Sequence, residues 1–155
     1  MIRVKHIFTF FLISLMVSAF SADNENRRTV EYQGDLYATT FDVPAKFVGK
    51  YSGDKTGYLT LNADGTGMYQ YDVFGYAPPS CVRQAIKMEW GFILDKEGNI
   101  VKNKRQYGYS YPMLLKSKGT TWFQGCRNEV MMDYILEKED GLHVSSSDDW
   151  FKAKP

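Results

Sequence analysis

From residue 57 to 71 the chain reads Gly-Tyr-Leu-Thr-Leu-Asn-Ala-Asp-Gly-Thr-Gly-Met-Tyr-Gln-Tyr, two alternating runs flanking Asp64-Gly65. Strand side chains point to opposite faces with a period of two, so this pattern predicts a β-hairpin. Turn length decides its register. A two-residue turn pairs Leu61 with Met68 and sends Tyr69 and Tyr71 to the opposite face. A three-residue loop, Ala63-Asp64-Gly65 with Gly65 left-handed, pairs Asn62 with Thr66. It gathers Leu59, Leu61, Tyr69 and Tyr71 on one face and leaves Tyr58, Thr60, Met68, Gln70 and Asp72 on the other. The longer loop separates apolar from polar side chains better, and a buried face enforces that register.

The same period returns downstream. Ile86, Met88, Trp90, Phe92 and Leu94 alternate with Lys87, Glu89, Gly91, Ile93 and Asp95. Val130, Met132, Tyr134 and Leu136 alternate with Glu129, Met131, Asp133, Ile135 and Glu137, which predicts Asp133 and Glu89 on polar faces. Shorter strands are expected at 36–41, 47–52, 107–111, 113–116, 121–124, 142–145 and 150–152. Ser80, after Pro79, can cap a short helix that ends by residue 86. About eight to ten strands with turn signals between them predict an all-β fold. We expect an antiparallel up-and-down β-barrel, with a two-sheet β-sandwich as the alternative. Lys96-Glu-Gly-Asn99 and Glu139-Asp-Gly141 supply turns.

Residues 1–22 have a different character. Arg3 and Lys5 precede an apolar run from Ile7 to Val17, and small residues follow at Ser18, Ala19, Ser21 and Ala22. That is the build of a signal peptide, cleaved after Ala19, Ser21 or Ala22. The apolar run falls short of the ~20 residues needed to span a bilayer, so no stable membrane insertion is expected. The domain plan is a signal peptide over 1–22, a flexible N-terminal leader over 23–34 and a single β-barrel domain over 35–155. The product is expected to be periplasmic or secreted.

Export changes the meaning of the two cysteines. In an oxidising compartment Cys81 and Cys126 read as one disulfide bond, worth roughly 3–4 kcal/mol by loop closure. Redox pairs use a Cys-x-x-Cys spacing, whereas 44 residues separate these two. Without the signal, 17 basic side chains face 18 acidic ones in 133 residues. No basic run exceeds Arg27-Arg28, and the densest basic cluster, Lys102-Asn-Lys-Arg105, is read as a solvated loop, so no nucleic-acid partner is expected.

Phe47-Val-Gly-Lys-Tyr51, ahead of the Asp-Gly hairpin, resembles the Gly-x-Trp opening of the lipocalin-like (calycin) barrels. Met132-Asp133-Tyr134 resembles the Thr-Asp-Tyr motif of a later strand in that family. Tyr51 stands where Trp is usual, Met132 where Thr is usual, and the family's late arginine has no clear counterpart. The resemblance implies a closed barrel whose mouth takes a small apolar ligand.

Catalytic chemistry finds few residues to use. His143 is the one histidine beyond the signal, and the adjacent Ser145-Ser-Ser-Asp-Asp149 reads as turn chemistry rather than a Ser-His-Asp site. No metal site and no cofactor is expected, and the protein is read as non-catalytic. Aromatic side chains are the stronger signal, with 20 of them in the 133 residues after the signal. Tyr107, Tyr109 and Tyr111 are expected on one strand face. Phe74 and Tyr76 lie in a loop stiffened by Pro78-Pro79, and Trp90 sits on an apolar face. Tyrosine and tryptophan are favoured at binding surfaces. These six residues are the candidate ligand contacts of a binding protein for a small apolar or aromatic molecule. The alternative is a periplasmic protein-binding inhibitor or immunity protein acting on an envelope-targeting enzyme, with Phe74–Pro79 as its insertion loop.

Overall fold

In the computed structural model, which describes residues 25–53, 57–70, 85–118, 130–145 and 147–152 (of 147–151 the backbone alone), one 3₁₀ turn, Ala45–Phe47, accompanies eleven strands. These are β1 Arg27–Tyr32, β2 Asp35–Thr40, β3 Gly49–Ser52, β4 Tyr58–Leu61, β5 Thr66–Gln70 and β6 Ala85–Ile93. After them come β7 Asn103–Arg105, β8 Gly108–Ser117, β9 Val130–Lys138, β10 Gly141–Val144 and β11 Ser147–Lys152.

The β4–β5 hairpin adopts the register that face separation predicts. Leu59 pairs with Tyr69 and Leu61 with Gly67. The Asn62 N–H donates to the Thr66 carbonyl at 2.8 Å, and Gly65 takes φ 75°. Asp64 accepts hydrogen bonds from the Thr66 hydroxyl and N–H, and these hold its carboxyl below the usual carboxylate range.

All eleven strands belong to one antiparallel sheet, so the sandwich alternative does not describe it. From β3 the pairing passes through β4, β5 and β6, crosses to β8, and continues through β9, β10 and β11 back to β3. The sheet is therefore a nearly closed antiparallel barrel, and the seam between its first and last strands joins Phe151 to Ser52 and Lys152 to Tyr51. Pro112 interrupts nothing in β8. On one side of this strand the partner changes there, from β7, which reaches Ser110, to β6, which begins at Met113. A residue lacking an N–H is tolerated at such a gap.

Among the described residues the interior is packed solid. Tyr51, Leu59, Leu61, Phe92, Met113, Ile135 and Val144 are wholly inaccessible, which leaves no water-sized space beside them. One end of the barrel is stopped by the 3₁₀ turn. Phe47 meets Phe92 and Tyr111 edge to face, with centroids 5.1 and 4.8 Å away, and the Tyr51 hydroxyl donates to the Phe47 carbonyl at 2.7 Å. At the same end the Trp90 indole N–H donates to the carbonyls of Asn62 and Thr66. Burial of this kind pushes the Tyr51 hydroxyl well above the ordinary tyrosine range.

Three expectations need correction. Residues 27–32, expected within a flexible leader, form β1, which pairs with β2 from Arg27↔Thr40 to Tyr32↔Asp35. This hairpin lies over the outside of the barrel, where Val30 packs with Ile93 and Leu114, backed by Tyr32, Tyr37, Val130 and Met132. Secondly, β9 has the opposite phase. Met131, Asp133 and Ile135 point inward, and Asp133 is 2% exposed rather than on a polar face. Of the outward apolar residues of β9, Val130 and Met132 are explained by the hairpin that packs on them. Thirdly, the strands expected at 107–111 and 113–116 are one strand, and Tyr107 lies in the turn before it. The expected strand at 121–124 lies outside the described residues. So does the capped helix up to residue 84, and Ala85 and Ile86 already belong to β6.

The phase of β9 can be read from stability. Ile135→Ala should cost about 2–5 kcal/mol in urea unfolding, whereas Leu136→Ala should cost under about 1 kcal/mol. Equal losses would contradict the inward placement of Ile135.

Candidate functional site

The β7–β8 hairpin and the adjoining β9 form an open groove of about 520 Å³ on the outer face and rim at the stopped end. Its apolar lining comes from Tyr107, Tyr109, Tyr134 and Leu136, and Arg105, Gln106, Glu137, Lys138 and Ser145 complete it. Local pairing explains this gathering. Arg105 faces Gly108 and Tyr109 faces Glu137 across the ladder, while the Ser145 N–H donates to the Tyr134 carbonyl at 2.9 Å. Tyr134 and Leu136 alternate with the inward residues of β9 and so look out.

Of the four expected ligand contacts that are described, the structure brings Tyr107 and Tyr109 into this groove. Tyr107 is 72% exposed and Tyr109 39%. Tyr111 and Trp90 are buried members of the core and do not line this groove. Phe74 and Tyr76 lie outside the described residues, as do Cys81 and Cys126. Tyr134, Leu136, Arg105 and Lys138 are groove residues that the sequence reading did not single out. The usable signal for them was a strand apolar on both faces, since one barrel interior can bury only one.

At the rim, a charged chain links the groove to the end stop. The Tyr111 hydroxyl donates to Glu137 Oε2 at 2.6 Å, and Lys46 donates to Glu137 Oε1. These two bonds, Lys46 first, hold the Glu137 carboxyl below the usual carboxylate range. Burial, with the Glu137 hydrogen bond second, pushes the Tyr111 hydroxyl well above its ordinary range. Lys152 Nζ donates to the Lys46 carbonyl at 2.6 Å, tying β11 to the 3₁₀ turn. Lys102 Nζ stands 3.7 Å from the centroid of Tyr109.

No family model, curated protein or solved structure matches this chain. The site must therefore be read from its own chemistry. Glu89 and Asp133, the acids whose convergence would suggest hydrolysis, sit on opposite faces of the sheet, since Glu89 alternates with the inward Met88 and Trp90. Near the groove, His143 Nε2 pairs with Asp140 Oδ1 at 2.9 Å, and that bond holds the Asp140 carboxyl below its usual range.

Glu137 sets a pH dependence of stability. Its folded pKa lies below the unfolded value, so its contribution is present above the ordinary glutamate range, about 4.3, and is lost as pH falls through the folded value. Glu137→Gln should flatten this acid limb in pH-dependent thermal unfolding. An unchanged limb would show that the Lys46–Glu137–Tyr111 chain contributes nothing to folding.

Proposed function

We propose that this chain is an exported, non-catalytic binding protein on a lipocalin-like up-and-down barrel, and that it holds a small aromatic or apolar ligand in the β7–β9 groove. One observation carries this reading: four apolar or aromatic side chains converge on a solvent-open concavity while the described interior is packed solid. A space of this size falls in the range usual for small-ligand sites, ~300–1,000 Å³. The barrel supplies rigidity, and the groove lies beside its short hairpin β7–β8, where recognition residues are commonly carried. The lumen ligand implied by the lipocalin resemblance gains no support from such a core. The signal pattern of residues 1–22 supports export to the periplasm or beyond. No helix among the described residues is long and apolar enough to cross a membrane. The inhibitor alternative depends on Phe74 and Tyr76 and draws nothing from the described residues.

The disulfide belongs to the same reading. Gln70 pairs with Ala85, and Lys116 with Val130, so β5 ends and β6 begins at the same end of the barrel as β8 ends and β9 begins, opposite the 3₁₀ stop. In sequence, Cys81 lies between β5 and β6 and Cys126 between β8 and β9. A bond between them would cross-link the β5–β6 and β8–β9 connections, and the oxidising compartment favours it. Intact mass measurement of the exported protein without reductant should find no alkylatable thiol. Two alkylated cysteines would overturn the bond.

The groove is tested by titrating isotopically labelled protein with 2-naphthol, a neutral aromatic probe, in two-dimensional NMR. Amide shifts should concentrate at Tyr107, Tyr109, Tyr134, Leu136 and Ser145. They should disappear in a Tyr107→Ser/Tyr134→Ser variant that keeps the wild-type melting temperature. Shifts centred on Tyr69, Met88 and Met131 would move the site into the barrel and defeat this reading.

A further inference from the structure

We infer that the groove selects an aromatic anion: a flat ring seated on Tyr107, Tyr134 and Leu136, with its carboxylate held by Arg105 and Lys138. This deepens the proposed function and rests on it. The argument is one of charge. Three ionisable side chains other than tyrosine line the groove, namely Arg105, Glu137 and Lys138. The acid among them is already satisfied, since one carboxylate oxygen accepts from Lys46 and the other from Tyr111. Its low pKa keeps it ionised but compensated.

The two cations are differently placed. Arg105 commits only Nε, which donates to the Ser110 hydroxyl at 2.9 Å. That bond fixes the guanidinium plane and leaves both terminal nitrogens without a described partner. Lys138 is exposed and makes no hydrogen bond or ion pair among the described residues. A guanidinium plane of this kind presents parallel donors that match a carboxylate. Lys102, stacked over Tyr109, adds a third positive charge at the margin. The acids of the following turn offset this balance only in part, since the Asp140 carboxylate also interacts with the Lys138 charge. Glu139 and Asp140 do not line the groove, and Asp140 is engaged by His143. Excess positive charge thus lies beside an aromatic surface, which favours a ligand combining both complements. Tyrosine faces and edges suit a ring better than an alkyl chain, because offset or edge-to-face ring pairs add to simple burial.

The test compares naphthalene-2-carboxylate with naphthalene-2-carboxamide, which differ in charge and hardly in shape. Both are titrated by two-dimensional NMR at low salt. We expect both to shift groove amides, with the carboxylate binding at least about tenfold more tightly, and that advantage to shrink as salt screens it. Arg105→Gln and Lys138→Gln should each reduce the advantage, and in the double variant the carboxylate should bind no more tightly than the carboxamide. Arg105→Lys should retain part of it. Equal affinity of the two probes would overturn the anion inference and leave the groove standing as a neutral aromatic site. If neither probe shifts the groove amides, the groove reading itself fails and this inference with it. Both substituted positions are exposed, and matching melting temperatures establish that the variants fold.

Discussion

The structure depends on β6 serving three partners at once. Along one edge its first half, from Ala85 to Glu89, pairs with β5, and its last two residues pair with β2. Along the other edge Met88 to Phe92 pair with β8 and join the two halves of the barrel. The change of partner on the first edge falls at Trp90-Gly91. There the Trp90 N–H donates to the Gly65 carbonyl, at the tip of the β4–β5 hairpin. A Cβ on Gly91 would lie 2.9 Å from the Thr39 side chain, so glycine is what lets β2 come alongside. Arg28 of β1 then donates to the same Gly65 carbonyl and lies over the Phe41 ring. Barrel closure, the stopped end and the covering hairpin are thus set by one strand.

This arrangement explains which parts of the fold were legible. The alternation from Ile86 to Phe92 is clean because each inward residue is large and apolar and most intervening ones face water. The β4–β5 register follows from the same contrast, sharpened by glycine at the left-handed position. β9 defeats the rule because both of its faces are apolar for different reasons: one fills the barrel, and the other lies partly under the β1–β2 hairpin, at Val130 and Met132, and partly in the groove, at Tyr134 and Leu136. The inward Asp133 completed the deception, since a charged residue in an alternating strand normally marks the wet side. The hairpin itself was hidden behind charged residues. Its two-residue turn is Gln33-Gly34, both with positive φ, and glutamine is not a usual signal for that geometry.

The candidate site was only half legible for the same reason. Tyr107 and Tyr109 announce themselves as a tyrosine stripe before a proline. Whether a stripe lines a core or a groove depends on where the barrel ends, and that is a matter of register between distant strands. Tyr111, two residues on, falls inside the rim and becomes a packing residue. Tyr134 and Leu136 reach the groove only because β9 has the reversed phase. Arg105 reads in sequence as part of a basic cluster on a solvated loop. In space, its hydrogen bond to Ser110 turns a surface cation into an oriented one.

A packed lumen changes what a barrel of this size contributes to binding. A small barrel can either fill its interior with side chains or keep space for a guest, and large inward aromatics favour the first. Phe47, Trp90, Phe92 and Tyr111 occupy the stopped end in mutual edge contact, so a guest there would have to displace well-packed rings. Interiors packed at crystal-like density resist that kind of rearrangement. What such a core provides instead is a stiff support for its rim. Tyr111 shows the connection directly, because its ring belongs to the core while its hydroxyl orders Glu137 at the groove. Glu137 in turn holds Lys46 of the turn that stops the barrel. The Glu137 side of the groove is therefore ordered by the core, and for the ligand proposed above that part of the wall carries no entropic cost of arrangement.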